Sequence, residues 1–210
     1  APPKFYELYE HLQLMPSKQK PEPEHPWHEA MRNCQLMDNF TPGKTQIALK
    51  SYYALVSFID ELIGNILNTL KSLELEDSTQ IIYTSDHGDN IGERNLWGKS
   101  NFYEESIGIP LIIAGPNVPI GKVCQTPVSL VDIYPTILET ARLSVEPQKP
   151  GRSLIKIANE PNENDRIIFA EYHAMGSKSG GFMIRKGYWK YAHYVGMRPQ
   201  LFDLERDPDE

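Results

Sequence analysis

The sequence has no run of about 18 apolar residues, the least that a membrane-spanning helix needs. Its mean hydropathy of −0.45 agrees, and a transmembrane helix is excluded. Cysteine is scarce: only Cys34 and Cys124 occur, far apart and in no metal-type spacing. Neither a disulfide framework nor a zinc site is implied, and two buried free thiols are expected. Positive charge is in deficit, with 21 Lys and Arg against 28 Asp and Glu and a net charge of −7. That excludes the basic footprint of a nucleic-acid binder and any pull toward an anionic membrane face. No internal repeat and no low-complexity tract is present. The chain opens on Ala1-Pro2-Pro3, with no initiator Met and no targeting segment, and stops at Asp207-Pro208-Asp209-Glu210. Both ends look cut, so a piece of a longer protein is an open reading.

What remains is ordinary globular composition. Of 210 residues, 40% are hydrophobic and 23% charged, enough for a real core and one or two domains. Residues 1 to 43 carry Pro2, Pro3, Pro16, Pro21, Pro23, Pro26 and Pro42. Proline removes a backbone donor, so the stretch reads as irregular with short helical turns, packed over something larger. From Lys44, Ile47, Leu55, Ile59, Leu62, Ile66 and Leu70 recur at helical steps and predict a long amphipathic helix ending near Leu73. Gln80 to Ser85 and Ile109 to Ala114 read as buried strands of an α/β layer. Val128 to Leu143 reads as a helix that Pro135 bends or starts. Glu146 to Gly151 is a proline and glycine connector, which divides the chain at 1–147 and 148–210. Short strands are predicted at 167–172, 181–185, 188–194 and 200–204, forming a small antiparallel sheet.

The segment with chemistry in it is Ser85-Asp86-His87-Gly88-Asp89, followed by Gly92-Glu93. It leaves a strand at its carboxyl end, where ligands bind in open α/β sheets. A carboxylate beside an imidazole there can ligate a divalent cation. The same Asp-His-Gly turn can also simply cap a strand, and locally both readings stand. Asp89 and Glu93 are read as solvated or loop-bracing, and His25 and His28 as structural or exposed. Lys99 is the one cation of Leu96 to Ser106, where it is either a surface lysine or a point charge for an anion. A cation and an ammonium facing one oxyanion would suit sulfate or phosphate ester cleavage.

These residues, with Trp97, Tyr103-Glu104-Glu105, Ile109-Pro110-Leu111, Gly115-Pro116 and Pro127 to Thr136, resemble the sulfatase family of the alkaline-phosphatase superfamily. Trp189-Lys190-Tyr191 and Leu201-Phe202-Asp203-Leu204 resemble its C-terminal sheet, so the likeness covers roughly residues 44 to 210. The resemblance implies an α/β fold: part of an alkaline-phosphatase-like sheet with flanking helices, plus a small C-terminal antiparallel sheet. It implies Asp86 and His87 as metal ligands, with Ca²⁺ first and Mn²⁺ as the alternative, and Lys99 on the sulfate. The Asp-His pair is the form of the iduronate-sulfatase, choline-sulfatase and phosphonate-monoester-hydrolase branches. The resemblance makes Glu171 to Gly176 and the loop Ser177 to Gly181 candidates for the substrate pocket, where His173 is either a substrate contact or a hydrogen-bonded loop histidine.

The resemblance also implies a formylglycine nucleophile made in a Cys/Ser-x-Pro-x-Arg motif, and neither cysteine fits it. The chain therefore reads as a C-terminal piece of a sulfuric ester hydrolase acting on a small sulfated substrate. Alone it is expected to be catalytically inert and largely metal-free, because two ligands cannot hold a hard cation. An uncovered strand edge is expected to be exposed or paired with another copy, which leaves a homo-oligomer open. A phosphonate or phosphodiester hydrolase and a non-catalytic binding module are the competing readings. The compartment, bacterial-type cytoplasmic or periplasmic and secreted, is left open.

Overall fold

Thr41 has an extended backbone, its side chain accepts from the Lys44 amide, and Pro42 takes the first helical position, where its missing N–H costs nothing. From there one helix runs for 31 residues. A computed structural model describes every residue of the chain except Leu36 and Met175, and the backbone alone of Asp38. It divides into two units.

The first unit comprises Ala1–Asp77, His87–Ile107 and Met175–Lys178. Its helices are α1 (Pro3–Glu7), α2 (Pro26–Cys34), α3 (Pro42–Ser72) and α4 (Glu104–Ile107). α1 lies along α3, with Phe5 against Phe58 at 5.3 Å between ring centroids and Lys4 paired to Glu61 at 2.7 Å. The proline-rich stretch is more helical than expected. Pro3 and Pro26 sit in first turns, where proline starts a helix instead of breaking it. The His25 ring caps α2 by accepting from the Trp27 amide at 3.2 Å. Trp27 and Met31 are buried, and so are His25 and His28, which settles those two histidines as structural. The broad apolar face of α3 is present but only part of it is covered. Leu49 and Ala54 are buried, whereas Ile47, Leu55, Ile59, Leu62 and Ile66 are exposed.

The second unit comprises Ser78–Asp86, Gly108–Ala174 and Ser179–Glu210. Strands β1 (Ile81–Thr84) and β2 (Leu111–Ala114) pair antiparallel, Ile81 facing Ala114 and Thr84 facing Leu111. Both were expected to be buried, yet Tyr83 and Ile112, register partners on one face, are exposed, because that face of the two-stranded sheet is left uncovered. The predicted helix at 128–143 is shorter: a 3₁₀ turn at Leu130–Asp132 leads into α5 (Ile133–Thr140), with Pro135 in its first turn. A further helix, α6 (Leu154–Asn159), buries Leu154 and Ile157.

Strands β3 (Ile167–Tyr172), β4 (Gly181–Lys186), β5 (Trp189–Tyr194) and β6 (Gln200–Asp203) form an antiparallel meander in chain order. The β4–β5 turn is two residues long, with Gly187 at φ 58° in its first position, the left-handed region that glycine takes without strain. Side chains alternate across this sheet. Met183, Lys190, Ala192 and Tyr194 face inward, and Lys190 pairs there with Glu210. Phe169, Ile184, Tyr191 and Leu201 are register neighbours on the other face, and all four are exposed.

Asp132 joins several of these elements. It has no exposed surface, and its carboxylate accepts from both Arg166 guanidinium nitrogens at 2.6 and 2.8 Å. It also accepts from the amides of Ser129 at 2.9 Å and Arg152 at 2.8 Å. The carboxylate's hydrogen bonds hold the Arg166 guanidinium above its ordinary pKa, against a burial effect of opposite sign.

Candidate functional site

β1 ends at Thr84, and Ser85, Asp86 and His87 leave it in sequence. Asp86 is exposed, and the Ser85 hydroxyl lies 3.4 Å from its Oδ1. His87 is half-buried, and its Nδ1 is 2.7 Å from the Gly88 carbonyl. A carbonyl only accepts, so Nδ1 carries the proton and the basic lone pair of the neutral ring sits on Nε2. Such a main-chain bond fixes the tautomer and orientation a metal-ligating histidine needs.

Gly88 is required by contact. Its amide donates to the Ser106 carbonyl at 2.8 Å, and a Cβ at this position would lie 2.0 Å from the Glu105 carbonyl oxygen. The next turn is closed by main-chain bonds. Asn90 is buried, with its amide and its Nδ2 both donating to the Gly98 carbonyl at 2.8 and 2.6 Å. Asp89 Oδ1 accepts from Ile91 and Gly98 amides at 2.8 and 2.9 Å. Glu93 accepts from the Ser17 amide at 2.9 Å. Asp89 and Glu93 are therefore loop braces. Trp97 stacks on Phe40 at 4.1 Å.

Lys99 follows this turn. Its side chain is exposed while its neighbours are fixed: the buried Ser100 accepts through its carbonyl from Trp27 Nε1 at 2.8 Å. His87 and Lys99 thus belong to one braced segment of the first unit. His173 belongs to the second unit, about half exposed, 3.5 Å from Glu171 and edge-on to the Phe182 ring at 5.1 Å. Met175, in the same sequence phrase, lies outside the described residues. Cys34 is exposed, not buried as expected, and Cys124 is partly buried; both are free.

Three residues, Arg94, Tyr103 and Glu105, were missed as a group from sequence. Arg94, only 3% exposed and at φ 52°, donates to Glu105 at 2.8 Å and lies 3.9 Å over the Tyr103 ring. Arg94 resembles any loop arginine in the sequence; its positive φ and burial are tertiary properties. The donor set for a cation is small: one exposed carboxylate and one imidazole nitrogen. Among the described residues no three His, Cys, Asp or Glu converge as a metal site. A carboxylate and an imidazole are donor types that a divalent cation accepts, but these two are short of the roughly six to eight oxygens that Ca²⁺ takes.

The sulfatase family model matches residues 15–143, and the model for the N-sulphoglucosamine sulphohydrolase C-terminal region matches residues 92–210. The choline-sulfatase of Rhizobium meliloti (strain 1021) is 36% identical, over 99% of this chain and 42% of its own length. Arylsulfatase K of Mus musculus is 35% identical over 85% of this chain and 34% of its own. Among solved structures, BT4656 in complex with its substrate D-glucosamine-2-N,6-O-disulfate superposes with a TM-score of 0.74 at 30% identity. That match covers 80% of this chain and 36% of the other. The phosphonate monoester hydrolase of Agrobacterium radiobacter gives a TM-score of 0.71 at 26% identity, covering 82% of this chain and 38% of the other. The chain thus spans less than half the length of these relatives. Its fold is that of the alkaline-phosphatase-like sulfatases, and the chain belongs to the sulfatase family.

Proposed function

We propose that this chain is the C-terminal portion of a hydrolase that cleaves a sulfate ester of a small molecule. The observation that carries the reading is the braced segment itself. It sets an oriented imidazole, His87, and an exposed ammonium, Lys99, on one loop of the first unit, directly after Asp86 in sequence and within the stretch the sulfatase family model matches. Asp86 and His87 Nε2 would hold part of the shell of a divalent cation, Ca²⁺ or Mn²⁺. A cation there would polarise sulfate oxygens and lower the pKa of an attacking hydroxyl. Lys99 would bind the sulfate as a point charge, strengthening its contact as negative charge gathers on the leaving oxygen. The nucleophile, which the family resemblance makes a formylglycine, and the other cation ligands would come from sequence outside this chain. His173 would contact the substrate beyond the sulfate.

The test is kinetic, in the full-length protein that carries this chain. Asp86→Ala is expected to abolish turnover of an aryl sulfate, and Lys99→Ala to lower kcat/KM by about 10²- to 10³-fold. Wild-type rates in either variant would sink the assignment. A second reading, a phosphonate monoester hydrolase, has the Agrobacterium radiobacter match in its favour. Faster turnover of a phosphonate monoester than of the sulfate ester by the wild type would select it.

A further inference from the structure

Between His87 and Lys99 the chain makes a turn whose two ends bear the proposed chemistry, and both ends lead to Glu105. At one end, the Glu105 carbonyl packs directly on Gly88, and the next carbonyl, Ser106, accepts the Gly88 amide at 2.8 Å. At the other, the Glu105 carboxylate accepts from Arg94 Nη1 at 2.8 Å and pairs with Lys18 Nζ at 2.6 Å. Arg94 holds a left-handed backbone, φ 52°, that is uncommon for a residue other than glycine, and it does so at a buried position. Its surroundings are the Tyr103 ring under its guanidinium, the Glu105 carboxylate, and the Lys18 carbonyl that accepts its amide at 2.9 Å. Tyr103 is buried and held in turn by His28, whose Nδ1 lies 3.3 Å from its hydroxyl. All these groups lie in the first unit.

We propose that Glu105 is a positioning residue: through its main chain it fixes the turn after His87, and through Arg94 it fixes the turn before Lys99. The inference rests on the sulfate-ester reading above. Glu105 touches no substrate. It sets the spacing between an imidazole and an ammonium whose side chains reach solvent and are oriented from their backbones. A neutral amide at this position cannot serve as counter-charge to two cations, one of them the buried Arg94 guanidinium. The turn is then expected to shift toward Lys99 while the main-chain contact at Gly88 persists.

The experiment compares Glu105→Gln, Arg94→Lys and Arg94→Met with wild type in the full-length protein. It reads kcat, KM for an aryl sulfate, the inhibition constant of inorganic sulfate, and the melting temperature. Glu105→Gln is expected to lower kcat/KM by about 10²-fold, as an ångström-scale misplacement does. Inhibition by sulfate is expected to weaken in parallel, in protein that still melts cooperatively. Arg94→Lys, which keeps the charge without the fork, is expected to retain more of the rate than Arg94→Met. A folded Glu105→Gln variant with wild-type kcat, KM and sulfate inhibition would overturn the proposal. If Glu105→Gln does not fold, equal kinetics for Arg94→Lys, Arg94→Met and wild type would overturn it. A wild type with no sulfate-ester turnover, indifferent to Asp86→Ala, would remove the functional reading and this proposal with it. Turnover lost in Asp86→Ala but kept in Glu105→Gln would remove this proposal alone.

Discussion

Asp132 and Glu105 are acidic residues in phrases that carry the family resemblance, yet neither has a role that the sequence assigns, and each is a point where several segments of chain meet. Asp132 is fully buried, and its partners are one guanidinium and two main-chain amides. Removing one member of a buried, hydrogen-bonded ion pair leaves the other charge desolvated, at a cost of about 3–5 kcal/mol. Asp132→Ala is expected to lose that much in urea unfolding, and adding Arg166→Met is expected to recover part of it. A loss below about 1 kcal/mol would place Asp132 with ordinary surface carboxylates.

Glu105 gives a pH dependence. Burial alone would raise its carboxyl pKa. The Lys18 hydrogen bond, then its own backbone and Arg94, outweigh that and hold it below its ordinary value of 4.5. A carboxyl with a lower pKa in the folded state contributes stability above its unfolded pKa and loses it as pH falls through the folded one. Stability is therefore expected to fall with pH from about 4.5 downward, and Glu105→Gln to flatten that fall. Unfolding midpoints measured across this range check it. An equal slope in wild type and variant would contradict that sign.

Elements were legible where local pattern decides them. The 3.6-residue repeat located α3, and short strand-type runs separated by turn residues located β3 to β6, whose side chains alternate between two faces, to within a residue or two. α2 was missed because its signals are a proline at the first helical position and a histidine ring as cap, both easily read as breakers. The burial of β1 and β2 was overestimated because an apolar run specifies only that a strand prefers to be covered. What covers it is a tertiary property. The same alternation yields a contrast within the C-terminal sheet. Leu201 faces outward at 63% exposure and Met183 inward at 3%. Leu201→Lys is expected to change stability by about 0.5 kcal/mol or less, and Met183→Ala to cost about 2–5 kcal/mol. Comparable thermal shifts for the two would mean that the outer face is packed in solution.

At the level of the whole chain, family membership was readable because the sulfatase resemblance rests on a long ordered run of motifs, from Ser85-Asp86-His87-Gly88 through Pro127 to Thr136. Asp86, His87 and Lys99 were readable as candidates for the same reason. The Arg94–Tyr103–Glu105 group was not, since nothing in residue type or spacing announces a left-handed arginine. The two units also differ in how they are threaded. The first is closed by contacts such as Ser17 to Glu93 and Trp27 to Ser100, 76 and 73 residues apart. The meander β3 to β6 joins only strands adjacent in sequence. Local pairing costs little loop-closure entropy and forms fast, whereas distant pairing waits on chain diffusion. In pulsed hydrogen exchange during refolding, amides of Gly181 to Tyr194 are therefore expected to gain protection before those of Gly88, Asn90 and Gly98. The loop with the proposed chemistry would be among the last parts of the protein to form and, by the same token, the first to open.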